Sequence, residues 1–294
     1  MKIISLFLMV SAAAATMALG ADAPKKIAFA RDNNTIWVAN MDGSGAKKVA
    51  SSGVDPYISP DGTAVAFNTE GKGTERYIAV VNLGTGRTQV FKDVPSNNAF
   101  GPIWSPDGSK LVFYIFVNNN WDIGLINADG TGYRVLKAGD GDSHSYFSAC
   151  WMPDGQSIYC QDLANLYHMG LDGSIIKQWS LEKLCPGGDM DSSMRFAISA
   201  DGKWMLMDVN SGEDPHRKDW DGPAPGVWIM DLRAETAKKL TPMFWWEPCW
   251  ATADSYVCIG QGVKEKLPSI YLRSLDGKTH KLLVKNATDP SVSR

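Results

Sequence analysis

The chain has 294 residues, of which 44% are hydrophobic and 21% charged, with a formal net charge of −3. That balance gives no basic footprint for nucleic acid, and the composition is that of a globular protein rather than a disordered one. Eleven tryptophans are many for this length, and five cysteines leave at least one thiol unpaired in an exported protein.

Residues 1–20 carry Lys2, an apolar run from Ile3 to Met17, and Ala18-Leu19-Gly20 as small residues at a cleavage site. This is the pattern of a secretory signal peptide, and the run is shorter than the roughly 20 apolar residues of a membrane span. No later segment is long and apolar enough to cross a bilayer, so a soluble periplasmic or secreted protein is expected.

The next elements are short apolar strands: Lys26-Ile27-Ala28-Phe29-Ala30, then Ile36-Trp37-Val38-Ala39-Asn40 running into the turn Met41-Asp42-Gly43, then a more polar Lys47-Lys48-Val49. A repeated unit follows. Its copies are Asp55-Pro56-Tyr57-Ile58-Ser59-Pro60-Asp61-Gly62, Gly101 to Gly108, Ala149 to Gly155, Phe196 to Gly202 and a degraded Glu247 to Asp254. The serine column falls at Ser59, Ser105, Met152, Ser199 and Ala251, at spacings of 46, 47, 47 and 52. A period in the forties with four short strands per unit is that of a propeller blade.

Each part of the unit has a physical reason. Pro fixes φ, Asp caps the turn and Gly accepts a positive φ, so Pro-Asp-Gly joins two strands. Ile58, Trp104, Trp151, Ile198 and Trp250 share one hydrophobic column, which is expected to pack blade on blade. The fourth strand of each unit is more polar and is placed at the outer edge, where Lys discourages edge-to-edge pairing. The chain begins with second-to-fourth-strand patterns and ends on Asp289-Pro290-Ser291-Val292-Ser293, a first-strand pattern. Joining these ends gives a sixth blade and closes the ring.

The expected architecture is thus an all-β, six-bladed propeller of four-stranded antiparallel blades. The blades fall near 51–93, 94–139, 140–184, 185–242, 243–285 and 286–294 with 26–50. The Asp-Pro-x-hydrophobic-Ser-Pro-Asp-Gly unit resembles the repeats of TolB-like propellers and covers essentially the whole chain after residue 20. TolB proteins carry a further N-terminal domain, whereas only a few residues separate the expected cleavage site from the first strand here. The fold alone does not fix a function.

In a propeller, turns after strands one and three lie on one face, and loops after strands two and four on the other. The first face is built of repeated Asp-Gly turns and reads as structural. The second gathers Asn118-Asn119-Asn120-Trp121, Asp140 to Phe147, Cys185 to Arg195, the insertion Ser211 to Gly226, and Met243 to Glu247. Long loops in a compact domain carry function, and Trp, Tyr, Arg and His are enriched at binding surfaces. Candidate ligand-binding residues are therefore Trp121, His144, Tyr146, Arg195, His216, Trp220, Trp245 and Trp246. His168 replaces an apolar strand residue and is expected to pack in the core, and His280 is placed on an exposed outer strand.

His144-Ser145 ahead of Trp151-Met152-Pro153-Asp154-Gly155 also resembles oligogalacturonate lyase propellers, which hold a metal with several channel-facing histidines. This chain offers at most His144 and His216 on the right face. There is no Gly-x-Ser-x-Gly, no phosphate loop and no paired-Cys zinc pattern. With three-residue hairpin turns, Cys150 would face Ile158 and Cys249 would face Val257, which argues against hairpin disulfides. The reading is a monomeric, non-catalytic binding or scaffolding protein of the cell envelope, without metal or cofactor. It would bind an envelope protein or a glycan or peptide ligand. The alternative is a carbohydrate-active, lyase-like enzyme or an inactive relative of one.

Overall fold

The computed structural model describes residues 25–31, 34–140, 144–218, 220–262 and 264–294. The segment read as a signal peptide lies outside them.

Six antiparallel sheets form a ring, the six-bladed propeller expected from the repeats. Blade 1 comprises Val54–Ile58, Ala64–Asn68, Ile78–Asn82 and Thr88–Val90. Blade 2 comprises Ala99–Trp104, Lys110–Val117, Asn120–Asn127 and Arg134–Lys137, and blade 3 Phe147–Trp151, Ser157–Gln161, Asn165–Gly170 and Ile175–Ser180. Blade 4 comprises Phe196–Ile198, Trp204–Ser211, Pro225–Asp231 and Thr236–Lys239, with the two-residue strand Gly188–Asp189 added beside Ser211. Blade 5 comprises Trp245–Trp250, Ser255–Gly260, Ser269–Ser274 and His280–Val284. In blade 6 the C-terminal strand Thr288–Val292 pairs with Lys26–Arg31, followed by Thr35–Asn40 and Lys47–Ala50. The ring closes through this pairing, so chain-end strands need no free edge. A single-turn helix, Leu181–Leu184, lies between blades 3 and 4.

The Ser-Pro-Asp-Gly turns, and the Ser-Ala-Asp-Gly turn of blade 4, repeat atom for atom. Ser59, Ser105 and Ser199 donate through Oγ to Oδ1 of Asp61, Asp107 and Asp201 at 2.6, 2.6 and 2.7 Å. The same aspartate oxygen accepts the amide two residues on, and the serine oxygen accepts the amide that opens the second strand, as Ala64 N at 3.0 Å. Gly62, Gly108, Gly155 and Gly202 hold φ near +70°, a conformation in which a side chain would be strained.

Blade-to-blade packing also follows a rule. The indole of Trp104 donates to the Tyr57 carbonyl of the preceding blade at 2.8 Å; Trp151 does so to Ile103 at 3.1 Å and Trp250 to Ala197 at 2.9 Å. Each indole thus buries apolar area and ties one blade to the next. Where Ile58 stands in this column, Ser291 Oγ of blade 6 accepts its amide instead, at 3.0 Å.

All five cysteines are free. Cys249 faces Val257 as expected, but Cys150 faces Tyr159 rather than Ile158, because Trp151 takes Ile158 as its partner. His168 is half-buried rather than fully packed. Its ring stacks on Tyr159 at 4.5 Å and its Nε2 meets Ser157 Oγ at 2.8 Å. His280, placed at an exposed edge, also touches the rings of Trp245 and Tyr271.

Candidate functional site

The innermost strands line a central channel, and one repeat position circles it: Asp55, Gly101, Ser148, Arg195, Glu247 and Asp289. In five blades the strand register breaks beside this residue, and Asp55, Gly101, Ser148, Glu247 and Asp289 adopt φ between 49° and 62°. The left-handed turn throws these residues into the channel. In blade 4 the inner edge is split into Gly188–Asp189 and Phe196–Ile198, and Arg195 stands just before the second piece without a positive φ.

Arg195 reaches across the channel to the opposite blade. Its Nη2 lies 2.6 Å from Asp55 Oδ1 and 3.1 Å from Asp289 Oδ1, and its Nη1 lies 3.4 Å from Glu247 Oε2. The guanidinium also sits 5.1 Å from the Tyr57 ring centroid. At 8% exposure it is a buried crossbar that bars the channel. A fourth carboxylate, Asp208, holds the ring from behind: Oδ1 accepts the Arg195 amide at 2.6 Å and Oδ2 the Glu247 amide at 3.2 Å. Asn68 does the same for Gly101, whose amide donates to its Oδ1 at 3.1 Å.

Carboxylates therefore outnumber the cation in a buried place. Burial pushes Asp55 up to about 6, against the pull of Arg195, and pushes Asp208 up to about 6 against its two amide donors. Glu247 is raised well above the usual carboxylate range, again by burial first. Desolvation of the charged form exceeds what one guanidinium can return to several acids.

The crossbar separates two cavities. One, of about 110 Å³, opens toward the Asp-Gly turns between Tyr57, Ile103, Cys150, Cys249 and the three column tryptophans. The other, of about 20 Å³, lies toward the loops between Asp55, Phe100, Gly101, Tyr114, Ser148 and Arg195. The turn face is thus less bland than its sequence suggests.

At the loop-rich mouth the insertion 211–226 docks onto blade 5. Buried Arg217 donates to the carbonyls of Gln261 and Glu265, both at 3.2 Å, and its guanidinium lies 5.0 Å from the Phe244 ring centroid. Phe244 and Trp246 then flank Trp220, edge to face at 5.2 and 5.7 Å. All three rings are half-buried. A second aromatic group joins Phe100, Tyr114, Phe116, Trp121 and Phe147 at centroid distances of 5.3–6.3 Å.

The sequence candidates divide accordingly. Trp220 and Trp246 meet at the mouth, and Trp121 joins the second aromatic group. Trp245 turns away: it lies over Gly260, under the Arg273 guanidinium at 4.2 Å, and packs on Tyr271. Tyr146 is buried against Tyr167, and Arg195 is the channel crossbar rather than a rim residue. His144 pairs with Asp140 of its own loop at 3.0 Å and lies 4.0 Å from buried Asp162 of blade 3, and His216 pairs with Asp214 of its own loop at 3.4 Å. His144, Arg195 and His216 are held by these separate partners and build no shared centre. Among the described residues no group of three or more His, Cys, Asp or Glu could hold a metal ion.

Sequence reasoning missed Asp55, Glu247, Asp289, Asp208 and the anchor Arg217. The signal for the first three was present: Asp-Pro, Glu-Pro and Asp-Pro stand at the repeat position that Arg195 occupies in blade 4.

Residues 24–293 match the family described as the TolB β-propeller domain. The chain belongs to that family. It is similar to the crystal structure of TolB from Acinetobacter baumannii, with a TM-score of 0.71 and 21% identity over 91% of this chain and 66% of that one. It is 30% identical over 113 residues to the TolB homolog of Chlorobaculum tepidum, 37% of this chain and 25% of that protein. It is 32% identical over 124 residues to the Tol-Pal system protein TolB of Anaeromyxobacter dehalogenans, 38% of this chain and 26% of that protein. The match to this TolB-family member thus spans about a quarter of the curated relatives' length. An oligogalacturonate lyase in complex with manganese shares the fold, at a TM-score of 0.52 and 15% identity over 87% of this chain and 74% of that one. Among the described residues no helix is long and apolar enough to cross a membrane.

Proposed function

We propose that this TolB-family propeller is an exported, non-catalytic binding and scaffolding protein of the cell envelope. Residues 1–20 serve as its signal peptide, and it works as a monomer that takes a protein segment at its loop-rich mouth. The observation that carries this reading is the cluster of Trp220, Phe244 and Trp246, half-buried and held in place by the anchor of Arg217 into blade 5. A half-buried aromatic group held in place by packing is what protein interfaces use as an anchor. Relatives named as TolB, one of them as a Tol-Pal system protein, support a partner within that system. The lyase-like reading draws less support, since His144 and His216 stay in separate loops and each is engaged by a neighbouring aspartate.

The test is titration calorimetry of the purified chain against the Pal component from the same organism, and separately against peptidoglycan fragments and acidic oligosaccharides with and without manganese. Saturable binding of the protein, weakened by Trp220→Ala, supports the reading. Binding only of a glycan replaces the protein partner with a sugar. Metal-dependent turnover of an oligosaccharide to an unsaturated product overturns it in favour of the enzyme.

A further inference from the structure

The six ring residues of the channel are unevenly distributed. Four are charged and stand in blades 1, 4, 5 and 6; the two small ones, Gly101 and Ser148, stand in blades 2 and 3. The Arg195 guanidinium leans toward the charged side, where it meets Asp55, Glu247 and Asp289. The 20 Å³ cavity lies between the two sides, bounded by Asp55 and Arg195 on one and by Ser148 and Gly101, which contributes no side chain, on the other. A Cβ at Gly101 would come within 2.7 Å of the Tyr114 ring, so the wall here is backbone and aromatic edge in contact.

Two features of this cavity ask for a cation. The second carboxylate oxygen of Asp55, Oδ2, is buried and accepts no hydrogen bond, although Asp55 lines the cavity. A buried acceptor without a donor is costly and is normally met by a ligand or a water. Its charge is also poorly balanced, because Arg195 is shared with Glu247 and Asp289. The other walls include Tyr57, Phe100, Ile103, Tyr114 and Phe196, with Ser148 on one flank and Arg195 on another. Aromatic walls over a carboxylate floor recognise an organic cation. The volume admits a single water-sized head group. The carboxylates surround the guanidinium rather than a common point, and this geometry suits an ammonium better than a metal ion.

We propose that this cavity is a subsite for a primary ammonium group, the tip of a lysine side chain of the segment bound at the loop-rich mouth. The ammonium donates to Asp55 Oδ2 and lies against Phe100 and Tyr114. The inference rests on the proposed binding role, but it names a site within the channel and a ligand chemistry that the aromatic cluster does not supply.

The test uses the small cation alone, so that it stands or falls separately from partner binding. Thermal unfolding of the full chain is followed in methylammonium chloride and in sodium chloride at equal ionic strength. At 100 mM the wild-type Tm is expected to rise by about 1–2 °C above the sodium control. The rise should be absent in Asp55→Asn and should shrink below about pH 6, as Asp55 takes up its proton. Should Asp55→Asn fail to fold, wild-type nuclear magnetic resonance gives the same answer, through methylammonium-dependent shifts of the Tyr114 and Phe100 ring signals. Equal Tm in the two salts, or shifts confined to other rings, overturns the subsite even if partner binding is intact. A methylammonium effect without any protein partner keeps the subsite and removes the proposed role.

Discussion

Two columns of the same repeat behave in opposite ways. The serine column, five residues before the second strand at Ser59, Ser105 and Ser199, builds turns that agree to about 0.1 Å in their Ser-to-Asp bonds. The channel column, four residues earlier, shares a backbone conformation in five blades yet carries Asp, Gly, Ser, Arg, Glu and Asp. Repetition at the first column marks what every blade needs in order to fold. Divergence at the second, on an equally fixed backbone, marks a position freed from that need, where one buried arginine gathers carboxylates from three other blades. In a repeat protein, the informative residue is the one that departs from its own repeat.

The comparison is broken most directly at the crossbar. Arg195→Leu leaves Asp55, Glu247 and Asp289 buried without a cation, and removing one partner of a buried ionic group costs about 3–5 kcal/mol. Chemical denaturation should register that loss. A change below about 1 kcal/mol would mean the acids are already neutral and the crossbar is not ionic. Next in size, Trp151→Phe removes the indole donor to the Ile103 carbonyl, which also stands opposite Val112 in its own ladder, and should cost about 0.5–1.5 kcal/mol as one lost hydrogen bond. The turn column should yield least: Asp107→Ala loses its bonds to Ser105 and Ser109 at an exposed site and should cost no more than about 1 kcal/mol.

The two columns also predict opposite responses to pH. Asp55 and Asp208 have folded values raised to about 6 from 3.8, so the folded state keeps protons that the unfolded chain releases. Their contribution is fully present below about pH 4 and is lost as pH rises toward 6. The turn aspartates Asp61, Asp107 and Asp201 are lowered, burial opposing at Asp61 and the hydroxyl and amide donors prevailing; their contribution is lost as pH falls below 4. Melting scans of wild type and Asp208→Asn across pH 4–6 check this. The variant should show a shallower fall in Tm with rising pH, and an unchanged slope would remove Asp208 from the account.

The fold was legible because a blade needs the same turn chemistry and the same apolar column each time, and those needs leave a period in the sequence. The mouth was legible in part. Trp220 and Trp246 stand in long loops and do meet, but Trp245 beside them turns outward because strand alternation sends neighbours to opposite faces. In sequence Arg195 closes the loop Cys185 to Arg195, whereas its repeat position puts it in the channel. Its partners lie 140, 52 and 94 residues away, and no local pattern announces a pairing across a ring. Phe244 and Arg217 owe their roles to a tertiary dock that neither residue's neighbours in sequence reveal.

Under the proposed function the loop-rich face binds while the turn face builds. Titration calorimetry of one partner against wild type, Trp220→Ala and Asp107→Ala tests it. Trp220→Ala is expected to weaken binding at least tenfold, with a Tm close to wild type, while Asp107→Ala stays within twofold. Equal losses for both, or a loss for Asp107→Ala alone, would contradict it.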